Sequence, residues 1–115
     1  MSETIFSKII RKEIPATIVF ENDKVLAFND INPKAPVHVL IIPKQEIARV
    51  TDLKPAEHAE MLSELFSAAN KIAEELGIAK DGFRLVINCG KNAGQEVEHL
   101  HIHLLGGKPL GWSPG

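Results

Sequence analysis

A chain of 115 residues with a net charge of −2, 44% hydrophobic and 24% charged residues has the size and balance of one globular domain, residues 1–115. That balance leaves no basic footprint for nucleic acid or an anionic membrane, and no apolar run approaches the roughly 18 residues of a membrane span. Met1 to Lys8 carry no signal-peptide pattern and the lone Cys89 excludes an internal disulfide, so a reducing compartment, the cytoplasm, is expected.

Ile5, Phe6, Ile9 and Ile10 recur at helical spacing and predict a short amphipathic helix ending before Pro15. Thr17 to Glu21 and Val25 to Asn29 read as a hairpin around Asn22-Asp23-Lys24. After a turn at Asp30 to Pro33, Val37 to Ile42 is nearly all apolar, which predicts a central strand closed by Pro43. Pro55 to Leu76 carries a stripe of Met61, Leu62, Leu65, Phe66, Ala69, Ile72, Ala73 and Leu76, the pattern of a long helix, with Pro55 suited to its first turn and Gly77 to its end. His58, beside charged residues on this helix, is expected to be exposed. Arg84 to Cys89 and His99 to Leu105 are the last two strands, joined through the loop Gly90 to Gly94. Short links within each strand group favour antiparallel pairing, and one sheet with helices on one side gives an α+β architecture.

The last strand reads His99-Leu100-His101-Ile102-His103-Leu104-Leu105. Alternation on a strand puts His99, His101 and His103 on one face and Leu100, Ile102 and Leu104 on the other. The leucine and isoleucine face is ordinary core. A row of imidazoles gives up apolar packing for groups that need polar partners. Three readings are open on pattern alone: structural histidines, a metal site, or metal-free nucleophilic chemistry at phosphorus. Against metal, the outer two histidines lie roughly 13 Å apart along a strand, and no cysteine cluster or HExxH motif supplies a further ligand. His38 at the start of the central strand reads as a satisfied structural histidine, and Asp30 on residues alone reads as a turn aspartate.

The His-x-His-x-His-x-x run followed by Gly106-Gly107, with Ala27-Phe28-Asn29-Asp30-Ile31, His38, Ile41-Ile42-Pro43-Lys44, Asn88, Gly94-Gln95 and the ending Trp112, Pro114, Gly115, resembles the histidine triad family. The Gly-Gly pair and the Trp-containing ending are similar to its Hint branch, the purine nucleoside phosphoramidases, rather than to its dinucleoside polyphosphate hydrolases. The resemblance implies a five-stranded antiparallel sheet with one long and one short helix, continued across a homodimer paired through the long helix and a sheet edge. It implies hydrolysis of purine nucleoside 5′-phosphoramidates, and of aminoacyl adenylates, with no metal and no cofactor. His101 would be the nucleophile, His103 would hold a phosphate oxygen, and His99 would orient His101. Asp30 would accept the ribose hydroxyls, Phe28 and Ile31 would wall the base, Asn88, Gly94 and Gln95 would face the 5′ side and phosphate, and Trp112 would dock on the partner subunit at the site. Only the resemblance leaves His38 a place near the site. The expected partner is a purine nucleotide of AMP type, with neither nucleic acid nor membrane. The alternatives in other classes are a nucleotide-binding scaffold with little turnover and a metal-binding module. Two positions depart from the family pattern: Glu46 stands where a histidine is usual, and Glu96 where a small hydroxyl residue is usual. Two carboxylates beside an anionic substrate would favour a leaving group that carries positive charge.

Overall fold

The computed structural model describes residues 3–112. Helix α1 (Ile5–Ile10) is followed by strands β1 (Ile18–Glu21), β2 (Val25–Asn29) and β3 (Val37–Pro43), helix α2 (Pro55–Glu75), and strands β4 (Phe83–Val86) and β5 (Ile102–Gly106). All pairings are antiparallel, in the order β1-β2-β3-β5-β4, so the apolar β3 is central as its composition requires. No described helix is long and apolar enough to cross a membrane.

The two faces of the sheet bury two separate cores. Val25, Ala27, Val39, Ile41, Ile102 and Leu104 meet the Met61, Leu65, Ala69, Ile72 and Ala73 stripe of α2. Leu26, Phe28, Leu40 and Ile42 meet Phe6 and Ile9 of α1. The helices therefore cover opposite faces, which corrects the expectation of helices on one side. The apolar stripe of α1 specifies that it must be buried, not against which face. At the edges of the α2 stripe, Phe66 and Leu76 are 44% and 43% exposed.

Local chemistry sets the helix ends. Thr4 Oγ1 accepts the Ser7 N–H at 3.1 Å, capping α1. In α2, Pro55 occupies the first turn, and His58 Nδ1 accepts the Lys54 N–H at 2.9 Å. His58 is thus buried, at 4% exposure, and not exposed as its charged neighbours implied. Its ring replaces a capping side chain at Lys54, satisfying a backbone donor that the helix cannot.

Two strands are shorter than the sequence implied. β5 begins at Ile102, because the residue of β3 that would face Leu100 is Pro43, which has no N–H to offer. Leu100 N–H instead donates to Ile47 O at 2.6 Å, outside the sheet. β4 ends at Val86, so Ile87 to Cys89 leave the ladder opposite the point where the His99 to His101 segment bends away. The Gly-Gly pair that ends β5 has a packing cause: a Cβ on Gly106 would lie 2.8 Å from Ile78, and Gly107 sits at φ +92°, where a Cβ would lie 3.0 Å from Pro36.

Candidate active site

The histidines share a face although only His103 lies in the hydrogen-bonded part of β5. Leu100, Ile102 and Leu104 remain in the α2-side core, which turns all three imidazoles toward α1. Phe6 of α1 meets the His101 ring edge-to-face at 5.1 Å and the His99 ring at 6.1 Å. An aromatic wall of this kind holds a ring in place without taking either of its nitrogens.

The hydrogen bonds assign the protons. His101 Nδ1 lies 2.7 Å from the His99 carbonyl oxygen. A carbonyl only accepts, so Nδ1 carries the proton and Nε2 keeps its lone pair. That Nε2 has no hydrogen-bond partner among the described residues. His99 Nε2 donates to the Pro43 carbonyl at 2.8 Å, which clamps the residue whose backbone orients His101. The contact to His101 therefore runs through the carbonyl of His99 and not through its ring.

A second chain of bonds orders His103. The Lys34 N–H donates to His38 Nδ1 at 3.0 Å, so His38 must carry its proton on Nε2. His38 Nε2 lies 3.0 Å from His103 Nδ1, which accepts its N–H in this arrangement, with Asp30 Oδ2 a longer contact at 3.4 Å. His103 is left with its proton on Nε2, facing the cavities it lines. His38 is buried and satisfied as expected, and it also belongs to the site. The signal was available by counting register: β2 and β3 pair Asn29 with Val39, and the next pair, Asp30 and His38, continues with Asp30 N–H donating to His38 O at 2.9 Å.

Burial holds His103 far below the ordinary histidine value, at about 4, with His101 and His38 adding in the same direction. Burial also lowers His38 and His99. His103 is thus a neutral donor at neutral pH and not a cation. A histidine with a lowered folded value takes its proton first in the unfolded chain, whose value is roughly 6.5. Stability is expected to be complete above that value and to fall as pH drops through it toward about 4, where His103 titrates in the fold. Denaturant titrations from pH 7.5 to 4 would show this, and an unchanged midpoint across that range would contradict it.

Two adjoining cavities open beside these rings. The larger, about 390 Å³, is mostly apolar and is lined by Phe6, Ile9, Phe28, Leu40, Val97 and the outlying Ile31, with His101 and His103 at its polar end. The smaller, about 290 Å³, is lined by His38, His103, Asn88 and Lys34. Asp30, Asn32, Glu96 and His103 line both. Asp30 Oδ1 accepts the Asn32 N–H at 2.8 Å, and Oδ2 lies 3.4 Å from His38 Nε2.

Of the residues expected at the site, His101, His103, Phe28, Asp30, Ile31 and Asn88 are brought together around these cavities, with His99 buried behind His101. Three are not. Gln95 Nε2 donates to the Ala48 and Val97 carbonyls at 2.8 and 2.9 Å, and its Oε1 accepts the Gly90 N–H at 2.8 Å, so every polar group it has staples the loop. Gly94 closes the short 3-10 turn Lys91–Ala93 in a left-handed conformation and lines neither cavity. Trp112 is 85% exposed, 5.9 Å from the Arg84 guanidinium, which also donates to Gly111 O at 2.8 Å. Ser113, Pro114 and Gly115 lie outside the described residues. Glu46 is exposed and lines neither cavity, whereas Glu96 stands at both. Phe6 and Val97 were not anticipated at the site, since nothing in the sequence shows which face α1 and the bend at Val97 will cover.

Asp30, His38 and His103 offer one ligand atom each within 4.8 Å of one another. This set does not fit a resident metal. With the Lys34 N–H aimed at His38 Nδ1, a metal on His38 Nε2 would require either a donor facing a donor or an imidazolate.

The HIT domain family matches residues 11–110. The purine nucleoside phosphoramidase of Escherichia coli K12 is 57% identical over 109 residues, 95% of this chain and 91% of that protein. A 14 kDa zinc-binding protein of Zea mays is 53% identical over 116 residues, covering 99% of this chain and 89% of its own. The crystal structure of a HIT family hydrolase from Legionella pneumophila Philadelphia 1 superposes with a TM-score of 0.95 at 47% identity, over 98% of this chain and all of that one. Fold, histidine face and these likenesses agree: the chain belongs to the HIT domain family.

Proposed function

We propose that the chain hydrolyses the P–N bond of purine nucleoside 5′-phosphoramidates, and of aminoacyl adenylates at the corresponding P–O bond, through a nucleotidyl-histidine intermediate on His101. The observation that carries this reading is the free Nε2 lone pair of His101, imposed by the His99 carbonyl and set between an apolar cavity and the Nε2–H of His103. The apolar part of the larger cavity suits a purine, its polar end at His101 and His103 suits the phosphate, and Asp30, where the two cavities meet, suits the ribose. Nε2 attacks phosphorus, the P–N bond breaks, and the amine departs with a proton from solvent. His103 donates to the non-bridging oxygen on which charge develops. Water then attacks phosphorus, releasing the nucleoside monophosphate and restoring the His101 lone pair.

The test is turnover of adenosine 5′-phosphoramidate with and without a strong chelator. Equal turnover in both is expected. Loss on chelation would mean a metal enzyme, and tight binding of AMP without turnover would mean a scaffold. A cationic leaving group should be favoured through Glu96, which stands at both cavities.

We also propose a homodimer, acting in the cytoplasm on its nucleotide substrate without nucleic acid or membrane. Support comes from the partly exposed Phe66 and Leu76 on α2, the free edge of β4, and Trp112, which buries little on its own chain. Deleting Leu110 to Gly115 is then expected to change rate or leaving-group preference more than stability. A monomer by sedimentation at micromolar concentration would contradict the dimer.

A further inference from the structure

We propose that Asp30 couples ribose recognition to the hydrogen bonding of the histidine pair, so that a ribose diol on its carboxylate commits the His38 proton to His103. This rests on the reading of Asp30 as the ribose contact and goes beyond it, giving Asp30 a positioning role in the chemical step.

The geometry is a single N–H hydrogen-bonded to one acceptor, His103 Nδ1, with a competing carboxylate oxygen just beyond it. His38 Nε2 lies 3.0 Å from His103 Nδ1 and 3.4 Å from Asp30 Oδ2. The proton cannot escape to the other ring nitrogen, because His38 Nδ1 is held by the Lys34 N–H. Nor can the carboxylate turn freely, because Asp30 Oδ1 is tied to the Asn32 N–H and the His38 side chain is only 4% exposed. Asp30 Oδ2 is therefore the oxygen that meets both His38 and the cavities, where its side chain is 20% exposed.

A carboxylate is the stronger acceptor of the two. When the His38 N–H is drawn toward Asp30, His103 Nδ1 loses its donor; the His103 ring can then turn from His38, so that no two N–H groups face each other, and take its proton on Nδ1 in exchange with solvent. His103 then presents a lone pair where the phosphate oxygen needs a donor. Ribose hydroxyls donating into Oδ2 occupy its lone pairs and spread its charge, which weakens its claim on His38. The N–H returns to His103 Nδ1, and the His103 proton is held on Nε2. Binding of a part of the substrate remote from phosphorus thereby acts on the reacting centre.

Imidazole ¹⁵N spectra of the full-length protein read the His103 tautomer directly. Saturating adenosine is expected to move His103 toward the form protonated at Nε2, while saturating 2′,3′-dideoxyadenosine leaves it as in the free protein. In single-turnover reactions at saturating substrate, the dideoxy phosphoramidate should react roughly tenfold more slowly than the ribo form, beyond any loss of affinity. Asp30→Asn, which removes the competing charge, should collapse that rate difference. Identical His103 spectra with both nucleosides and equal saturating rates, with only affinity changed, would overturn the coupling and leave the ribose contact standing. Equal affinity for adenosine and dideoxyadenosine would remove the ribose contact itself, and the coupling with it.

Discussion

His101→Ala is expected to lower turnover of adenosine 5′-phosphoramidate by on the order of 10⁴-fold or more, because no covalent intermediate can form without the attacking nitrogen. AMP should still bind within a few-fold of wild type. The apolar cavity, Asp30 and His103 all lie outside the deleted atoms, and the His101 ring contributes one part of a wall that Phe6 and Phe28 also build. Steady-state kinetics together with calorimetric titration of AMP separate the two effects. A His101→Ala protein that keeps a tenth of wild-type turnover would remove His101 from the nucleophilic role.

The second large effect is expected from His38→Ala. This change removes the donor to His103 Nδ1 and leaves the Lys34 N–H without its acceptor. Leaving such groups unpaired costs about 1–3 kcal/mol of stability. The chemical step should fall by roughly 10² or more, since a histidine held in the wrong tautomer loses its catalytic use even when its position is kept. The saturating rate should fall more than substrate affinity, and the ¹⁵N signals of His103 should report mixed tautomers. A fall in stability with unchanged saturating rate and His103 spectrum would reduce His38 to a purely structural residue.

The parts of this site that were legible in the sequence are those that depend on parity along a strand. Alternation put His99, His101 and His103 opposite Leu100, Ile102 and Leu104, and this holds even across His99 to His101, where the ladder has already ended. The apolar run of Val37 to Ile42 marked the central strand for the same reason. What parity could not supply was the third dimension. The stripe on α1 required burial but named no face, so Phe6 was not foreseen against His101. His58 has charged sequence neighbours yet is buried. Its positions relative to Met61, Leu62 and Leu65, at spacings of three, four and seven, put it on the buried stripe all along. Resemblance places Gln95 and Gly94 at the substrate, yet in this chain the Gln95 amide is held by three backbone partners and Gly94 lines neither cavity, whereas Trp112, expected on a partner subunit, is exposed beside Arg84 on its own chain. His38 was within reach, since extending the pairing of Asn29 with Val39 by one residue places it opposite Asp30 and beside His103.

The central claim is that an imidazole nitrogen of His101 becomes bonded to phosphorus. Wild-type protein mixed with excess adenosine 5′-phosphoramidate, quenched in alkaline denaturant during the first turnover and digested, can be searched for adenylylated peptides by mass spectrometry. Alkaline conditions are needed because a P–N bond to imidazole is labile in acid. The result predicted is an adenylyl group on His101 that appears and decays at rates consistent with turnover. Adenylyl label on His103, His99 or any other residue, or none at any time point while AMP is being released, would contradict it.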